Sequence, residues 1–311
     1  MGTASQPDSS STASVRAGLF FAVASYIWWG ISPFYFIMLK HVPPATILGH
    51  RIVWSIVVLA MVIGLARQWP SVLAIVRDRR LLAWLALSTV LVATNWLVFI
   101  YSIATERLIE SSLGYFINPL VTVVLGMIFL GERLRGLQWI AAGTATAGVA
   151  YLTLARGGLP WIAIVLAVSF GFYSLIRKRT RVGANTGLFV ETLFLGPMAM
   201  VYLAWSHSRP EADAFNGPAT LAILSLAGIV TVAPLVWFVA AARRLTLVTI
   251  GFLQPLAPSI QFITAVFILG EPFDVDRFVA FALIWLAVGI FVGDAVIRNG
   301  RRRAVVVPQL E

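Results

Sequence analysis

The sequence has no cysteine, two lysines, three histidines and only 13 acidic residues in 311. Without cysteine there is no disulfide framework and no thiolate chemistry. His41, His50 and His207 form no HExxH or comparable cluster, so a metalloenzyme lacks its ligand set and no metal is expected. Lys40 and Lys178 follow Leu39 and Arg177, which excludes a Gly-Lys-Ser/Thr phosphate loop and with it ATP hydrolysis; no cofactor motif is present. A net charge of +10 would suit nucleic acid if it were gathered on one polar domain, but the arginines are strung between apolar runs, which argues against a nucleic-acid partner.

What fills the chain is apolar. Hydrophobic residues make up 59% and charged residues 12%, with a mean hydropathy of +0.90, whereas soluble domains carry roughly a quarter charged residues. The apolar residues come in runs of about 17 to 25, the length a helix needs to cross a bilayer. Ten spans follow, at 17–39, 45–66, 81–103, 111–130, 137–155, 159–176, 187–205, 219–241, 246–269 and 277–296. The expected fold is an all-α integral membrane protein with a multi-pass arrangement in the lipid bilayer.

Lys and Arg in alternate connections fix an orientation, because positive charge is retained on the cytoplasmic side. One set holds Arg16, Arg67, Arg77, Arg79, Arg80, Arg133, Arg135, Arg177, Lys178, Arg179, Arg181, Arg243, Arg244, Arg298, Arg301, Arg302 and Arg303, which is 17; the other holds Lys40, Arg107, Arg156, Arg209 and Arg277, which is 5. Both termini are therefore expected in the cytoplasm, and the clean alternation supports an even number of spans. Residues 1–15, rich in Ser, Thr and Ala, read as a disordered cytoplasmic tail and 298–311 as a basic one.

A shift of 139 residues superposes Pro119 on Pro258, Leu130 on Leu269, Gly131 on Gly270, Glu132 on Glu271, Ala141 on Ala280 and Val149 on Val288. Each Gly-Glu pair closes the fourth span of its half. Five spans per half is an odd number, so the halves, 16–156 and 157–297, enter the membrane from opposite sides as inverted five-helix repeats, an architecture suited to alternating access.

Few polar groups lie inside the spans, and those few are the candidate pathway. They are Trp28 and Ser32 in the first span, Arg51 in the second, Asn95 and Tyr101 in the third, Tyr115 and Asn118 in the fourth, Tyr173 in the sixth, Glu191 in the seventh, and Gln254 and Gln261 in the ninth. Pro119, Pro234 and Pro258 are candidate hinges, since an intrahelical proline removes a donor and frees a carbonyl. The competing reading gives these amides a packing role between helices. A shift of 140 brings Arg51 onto Glu191, but with Arg51 near the outer end of its span and Glu191 about one turn from the inner end, the two stand on the order of 15 Å apart and do not pair. Glu191 is the proton-coupling candidate; the structural alternative has the helix start and the arginines at 177, 179 and 181 holding it as an ion. The fifth span, rich in Ala and Gly, and the tenth, with Gly289 and Gly293 at GxxxG spacing, read as close-packing helices outside the pathway, through which a homodimer could form.

YIWWGISPFYF at 26–36, HRIVWS at 50–55, NWLVFIYSIA at 95–104, SLGYFINPLVTVVLGMIFLGER at 112–133, GLFVET at 187–192, GIVTVAPLVWF at 228–238, GFLQPLAPSIQF at 251–262 and FALIWLAVGIFVGDA at 281–295 occur in order. Together they resemble the RarD family, in the EamA-type branch of the drug/metabolite transporter superfamily; Pro255 departs from the tyrosine expected after this glutamine. The resemblance implies ten helices in two inverted repeats around a central cavity, with the fifth and tenth peripheral. The expected function is a plasma-membrane secondary transporter, not an enzyme, that moves a small amphipathic or amino-acid-like solute by alternating access; export is carried by analogy alone. Two rivals remain: a membrane-embedded enzyme on a lipid-like substrate, for which Glu191 stands almost alone as a carboxylate, and a non-transporting regulator of drug uptake.

The charge asymmetry yields a direct test. Because the chain has no native thiol, single cysteines beside Arg156 and Arg209 are expected to react with an impermeant maleimide added outside the cell, and cysteines beside Arg79 and Arg179 to stay unlabelled. The reverse pattern overturns the orientation.

Overall fold

In hydrocarbon a backbone must satisfy its own polar groups, and a continuous apolar run does so as an α-helix. The structure, a computed structural model, describes residues 9–130, 136–180, 182–210, 215–242, 244–245 and 253–305, and among them every regular element is helical. In chain order these are α1 (Ser9–Ile37), α2 (Pro44–Leu65), α3 (Trp69–Arg77), α4 (Arg79–Ala104), α5 (Leu108–Leu130), α6 (Gly136–Arg156), α7 (Trp161–Thr180), α8 (Ala184–His207), α9 (Pro218–Ser225), α10 (Ala227–Ala242), α11 (Leu256–Ile268) and α12 (Val275–Val305). Seven stretches are long and apolar enough to cross a membrane, α9 and α10 counting as one, and α7 and α11 supply two shorter apolar helices. Gly131, Glu132, Arg133, Arg135, Arg181, Arg243 and the start of the ninth expected span, 246–252, lie outside the described residues.

Several limits differ from those expected. α1 begins at Ser9 and α12 runs to Val305, so helix reaches into both stretches read as tails. α3 escaped the hydropathy reading because nine residues are too short to span; it is an amphipathic piece whose Val72 and Ile75 are buried while Trp69, Leu73 and Val76 are exposed. The eighth expected span divides at Leu226, whose N–H bonds to Ile223 O in a tightened turn. The end of α11, Thr264–Ile268, is wound as a π-helix.

Lipid gives no hydrophobic drive for one helix to meet another, so close approach and polar links decide which helices pair. α1 packs on α10 and α11; α4 and α5 pack on α7; α2 packs on α8 and α10; α4 also meets α8, α5 meets α11, and α6 lies along α12. Gly114 lets α5 touch α7, where a Cβ would fall 2.7 Å from Ala163 O, and Gly228 lets α10 touch α2, where a Cβ would fall 2.4 Å from Trp54 O. Gly289 and Gly293 face open space instead of α6, so the GxxxG stripe of α12 packs on no helix among the described residues.

Alternation of the helices gives the bundle two faces. The first carries the start of α1, the α7–α8 connection and the end of α12. The second carries the α1–α2, α4–α5, α6–α7 and α11–α12 connections, and there the basic residues are neutralised locally. Lys40 pairs with Glu106 at 3.0 Å, Arg107 with Glu110 at 2.5 Å and Arg156 with Asp274. The Arg277 backbone N–H and Arg156 together hold the Asp274 carboxyl below the usual carboxylate range.

The Gly-Glu pair seen as a mark of the repeat has a structural task on this face. Gly270 ends α11 at φ +66°, a conformation that favours glycine, and the turn aims Glu271 at the start of α5. Its carboxylate accepts from Leu108 N at 2.6 Å and from Ile109 N at 2.9 Å while only 6% exposed, and so caps a helix 162 residues away. Glu271→Ala leaves two buried N–H groups without an acceptor and is expected to destabilise by about 1–3 kcal/mol. Glu271→Gln, which keeps one oxygen, should lose less. Thermal unfolding of the purified variants in one detergent checks the order; equal melting of Ala and parent removes the cap from the account.

Candidate functional site

Each intrahelical proline frees the carbonyl four residues earlier, and in this bundle two such carbonyls are answered by another helix. Pro234 of α10 frees Val230 O, which accepts from Trp28 Nε1 of α1 at 3.1 Å. Pro33 of α1 frees Trp29 O, which accepts from Gln261 Nε2 of α11 at 3.1 Å and from Ser32 Oγ at 2.8 Å. Trp28, Ser32 and Gln261 thus act on proline kinks, and Ser25 Oγ adds a bond to Pro234 O at 2.8 Å. Pro119 lies inside a continuous α5. Pro258 falls in the first turn of α11, where an N–H has no intrahelical partner to lose, so it does not break the helix as a hinge would.

Asn95 and Asn118 work in the same way on α7. Asn95 Nδ2 donates to Leu166 O and Ser169 Oγ, both at 3.1 Å, its Oδ1 accepts from Tyr115 OH at 3.2 Å, and Asn118 Nδ2 donates to Ala167 O at 3.1 Å. Tyr101 is apart from the others: it is exposed at the end of α4, its ring 5.7 Å from that of Trp161. Gln254 is half-buried in the turn ahead of α11.

Two charged side chains remain. Glu191 of α8 is fully buried two turns, not one, into its helix, because α8 starts at Ala184. Ser88 Oγ of α4 donates to it at 2.5 Å and Tyr173 OH of α7 at 3.2 Å, and Arg177 Nη1 lies 3.8 Å away. Of the three arginines expected around it, only Arg177 reaches it; Arg179 instead donates to Phe129 O, and Arg181 lies outside the described residues. Gly187, one turn before Glu191, makes room for that guanidinium, since a Cβ there would fall 1.7 Å from Arg177 Nη1. Ser88 was missed, because a serine in an apolar span gives little signal, whereas Arg177 is one of the arginines expected to hold Glu191 as an ion.

Arg51 of α2 has no carboxylate. Its Cζ lies 4.2 Å over Trp96 of α4 and 5.8 Å over Phe36 of α1, with Tyr35 and Tyr115 close enough to interact electrostatically. Towards the second face α2 and α8 are joined again, by Thr46 Oγ1 and Ser206 Oγ at 2.9 Å and by the His50 and His207 Nε2 atoms at 2.9 Å, with His207 also bonded to Asn216.

Residues 16–154 match the EamA-like transporter family. An uncharacterized transporter of Vibrio cholerae is 47% identical over 280 residues, covering 90% of this chain and 93% of that protein. Protein RarD of Escherichia coli is 44% identical, covering 92% and 97%. The chain belongs to the RarD family of EamA-like transporters. The chloramphenicol-sensitive protein RarD of Pseudomonas aeruginosa is 31% identical over 93% of this chain and 98% of its own. A solved crystal structure, 21% identical with a TM-score of 0.53, covers 91% of this RarD-family chain and shares its fold.

The Glu191 pair is testable by a double-mutant cycle. Arg177→Gln leaves a buried carboxylate without its cation and is expected to cost about 3–5 kcal/mol; adding Glu191→Gln removes the stranded charge and should recover much of the loss. Gly187→Ala, which forces the guanidinium aside, should shift the melting temperature in the same direction as Arg177→Gln. A double variant no more stable than Arg177→Gln alone shows that the pair is not coupled.

Proposed function

We propose that this protein is a secondary transporter of the plasma membrane, with ten spanning helices in two inverted five-helix halves and both termini cytoplasmic. It exports a small amphipathic or amino-acid-like solute by alternating access. The observation that carries this is the pattern of packing partners. Exchange the halves, α1 with α7, α2 with α8, α4 with α9–α10, α5 with α11 and α6 with α12. The pair α1–α10 then becomes α7–α4, α1–α11 becomes α7–α5 and α2–α10 becomes α8–α4, each of them a contact in the bundle, while α2–α8, α5–α11 and α6–α12 map onto themselves. A scaffold that maps onto itself when inverted can adopt two mirrored conformations of similar energy. Membership of a family whose relatives are named transporters, one of them for chloramphenicol sensitivity, supports the same reading.

The moving bodies on this reading are not the sequence halves. α1, α10 and α11 form one group and α4, α5 and α7 the other, and the Trp28, Gln261, Asn95 and Asn118 bonds all lie inside a group. α2 and α8 lie between the groups, and Glu191 ties α8 to the second. When Arg177 swings away, a buried carboxylate is neutralised by a proton instead, which couples the movement of α8 to a proton. The unused Gly289 and Gly293 face of α12 is the surface for self-association.

Counterflow of labelled amino acids and of chloramphenicol into proteoliposomes tests the carrier. Glu191→Gln should abolish uptake driven by an imposed pH gradient while leaving counterflow intact. Absence of counterflow for every solute sinks the transporter reading, and gradient-driven uptake equal to the parent's reduces Glu191 to a structural role.

A further inference from the structure

Once the proline-freed carbonyls, helix starts and inter-helix amides have their partners, the principal unmatched group deep in the bundle is Arg51. No hydrogen bond or ion pair reaches its guanidinium from the described residues. Nε is buried without a partner, while the two terminal nitrogens keep accessible surface. One turn further along the same face of α2, Ser55 is fully buried and its Oγ also lacks a partner among the described residues. A cation over two aromatic rings gains about 2 kcal/mol or somewhat more, less than the several kcal/mol lost in taking it out of water. Packing alone therefore does not explain a cation at this position.

The position is also that of a moving seam. Phe36 belongs to one group of helices, Trp96 to the other, and α2 runs between them. We infer that Arg51, with Ser55 beside it, seats the carboxylate of a small monoanionic solute whose apolar or aromatic body rests against Trp96, Phe36, Tyr35 and Tyr115, an inference that rests on the transporter reading. The guanidinium fork matches a carboxylate in two parallel hydrogen bonds, and Ser55 supplies a further donor. The single cation fixes the charge: no second Lys or Arg is among the groups that act on Arg51, so a dianionic phosphate would be left half-neutralised. Aromatic side chains from both groups touch the seat, so a solute held there is contacted by both moving bodies.

The test uses the purified full-length protein and two isosteric probes, phenylacetate and neutral phenylacetamide, followed by thermal unfolding. Phenylacetate should raise the melting temperature of the parent saturably and phenylacetamide should not. The acid should bind Arg51→Lys, which keeps charge but loses the fork, and Ser55→Ala more weakly, and Arg51→Gln about tenfold or more so. Without ligand, Arg51→Gln should melt no lower than the parent, since it removes a charge that lacks a counter-ion; a large drop marks Arg51 as a structural prop and overturns the proposal. Equal shifts with acid and amide, an unchanged response in Arg51→Gln, or no shift with phenylacetate also overturn it. A phenylacetate concentration jump on proteoliposomes adsorbed to a solid-supported membrane separates the two readings. Stabilisation that depends on Arg51 without a transport current upholds the seat and removes the carrier, whereas counterflow of neutral solutes that ignores Arg51 does the reverse.

Discussion

A polar backbone group released inside hydrocarbon has no water to turn to, and the rest of this structure follows from how each such group is answered. Pro33 and Pro234 release carbonyls that Gln261 and Trp28 take up, and the starts of α5 and α7 expose N–H groups that Glu271 and Glu110 cap. In all four cases donor and acceptor come from opposite halves of the sequence. Each half thus completes breaks in the other, and the halves interleave. The compact groups in space, α1 with α10 and α11, and α4 with α5 and α7, each draw on both.

That interleaving determines where movement is cheap. Bonds within a group are geometrically demanding, because each answers a kink or holds an amide against a backbone carbonyl. Contacts between groups are of another kind. Lys40–Glu106 and Arg156–Asp274 are exposed ion pairs of small worth, and the pairs joining α2 to α8 are single hydroxyl or imidazole contacts. The polar links along the seam are therefore weaker than those that hold α1 to α10 and α4 to α7. Glu271 is the exception, since it bridges α11 and α5.

Hydropathy made the apolar helices legible, seven of them long enough to cross a membrane among the described residues, since apolar length is a local property. The Gly-Glu pair was legible as a repeat but not as a cap, because Leu108 lies 163 residues from Glu271. Of the prolines read as hinges, Pro234 marks a freed carbonyl that another helix answers, yet nothing local says that Trp28 is the donor, and polarity alone placed Trp28 and Gln261 in a pathway. Division of the eighth span at Leu226 and the π-turn of α11 leave no compositional trace. Arg177 was legible as a neighbour of Glu191 from its place at the end of the sixth span, whereas Ser88 joins the site only through the packing of α4 on α8.

Arg51 and Glu191 occupy nearly equivalent places in the two halves, one on α2 and one on α8, and carry opposite charge. Were both positions alike, inverting the scaffold would leave unchanged what these two positions offer a ligand. With a cation on one between-group helix and a carboxylate on the other, the mirrored conformations differ in chemistry while remaining close in packing energy. On the proposed reading that difference is what a coupled carrier needs: one helix holds an anionic solute, the other exchanges Arg177 for a proton, and the shared scaffold links the two events. On that reading symmetry keeps the two states near in energy, and the departure from symmetry at these two residues lets each state favour a different ligand.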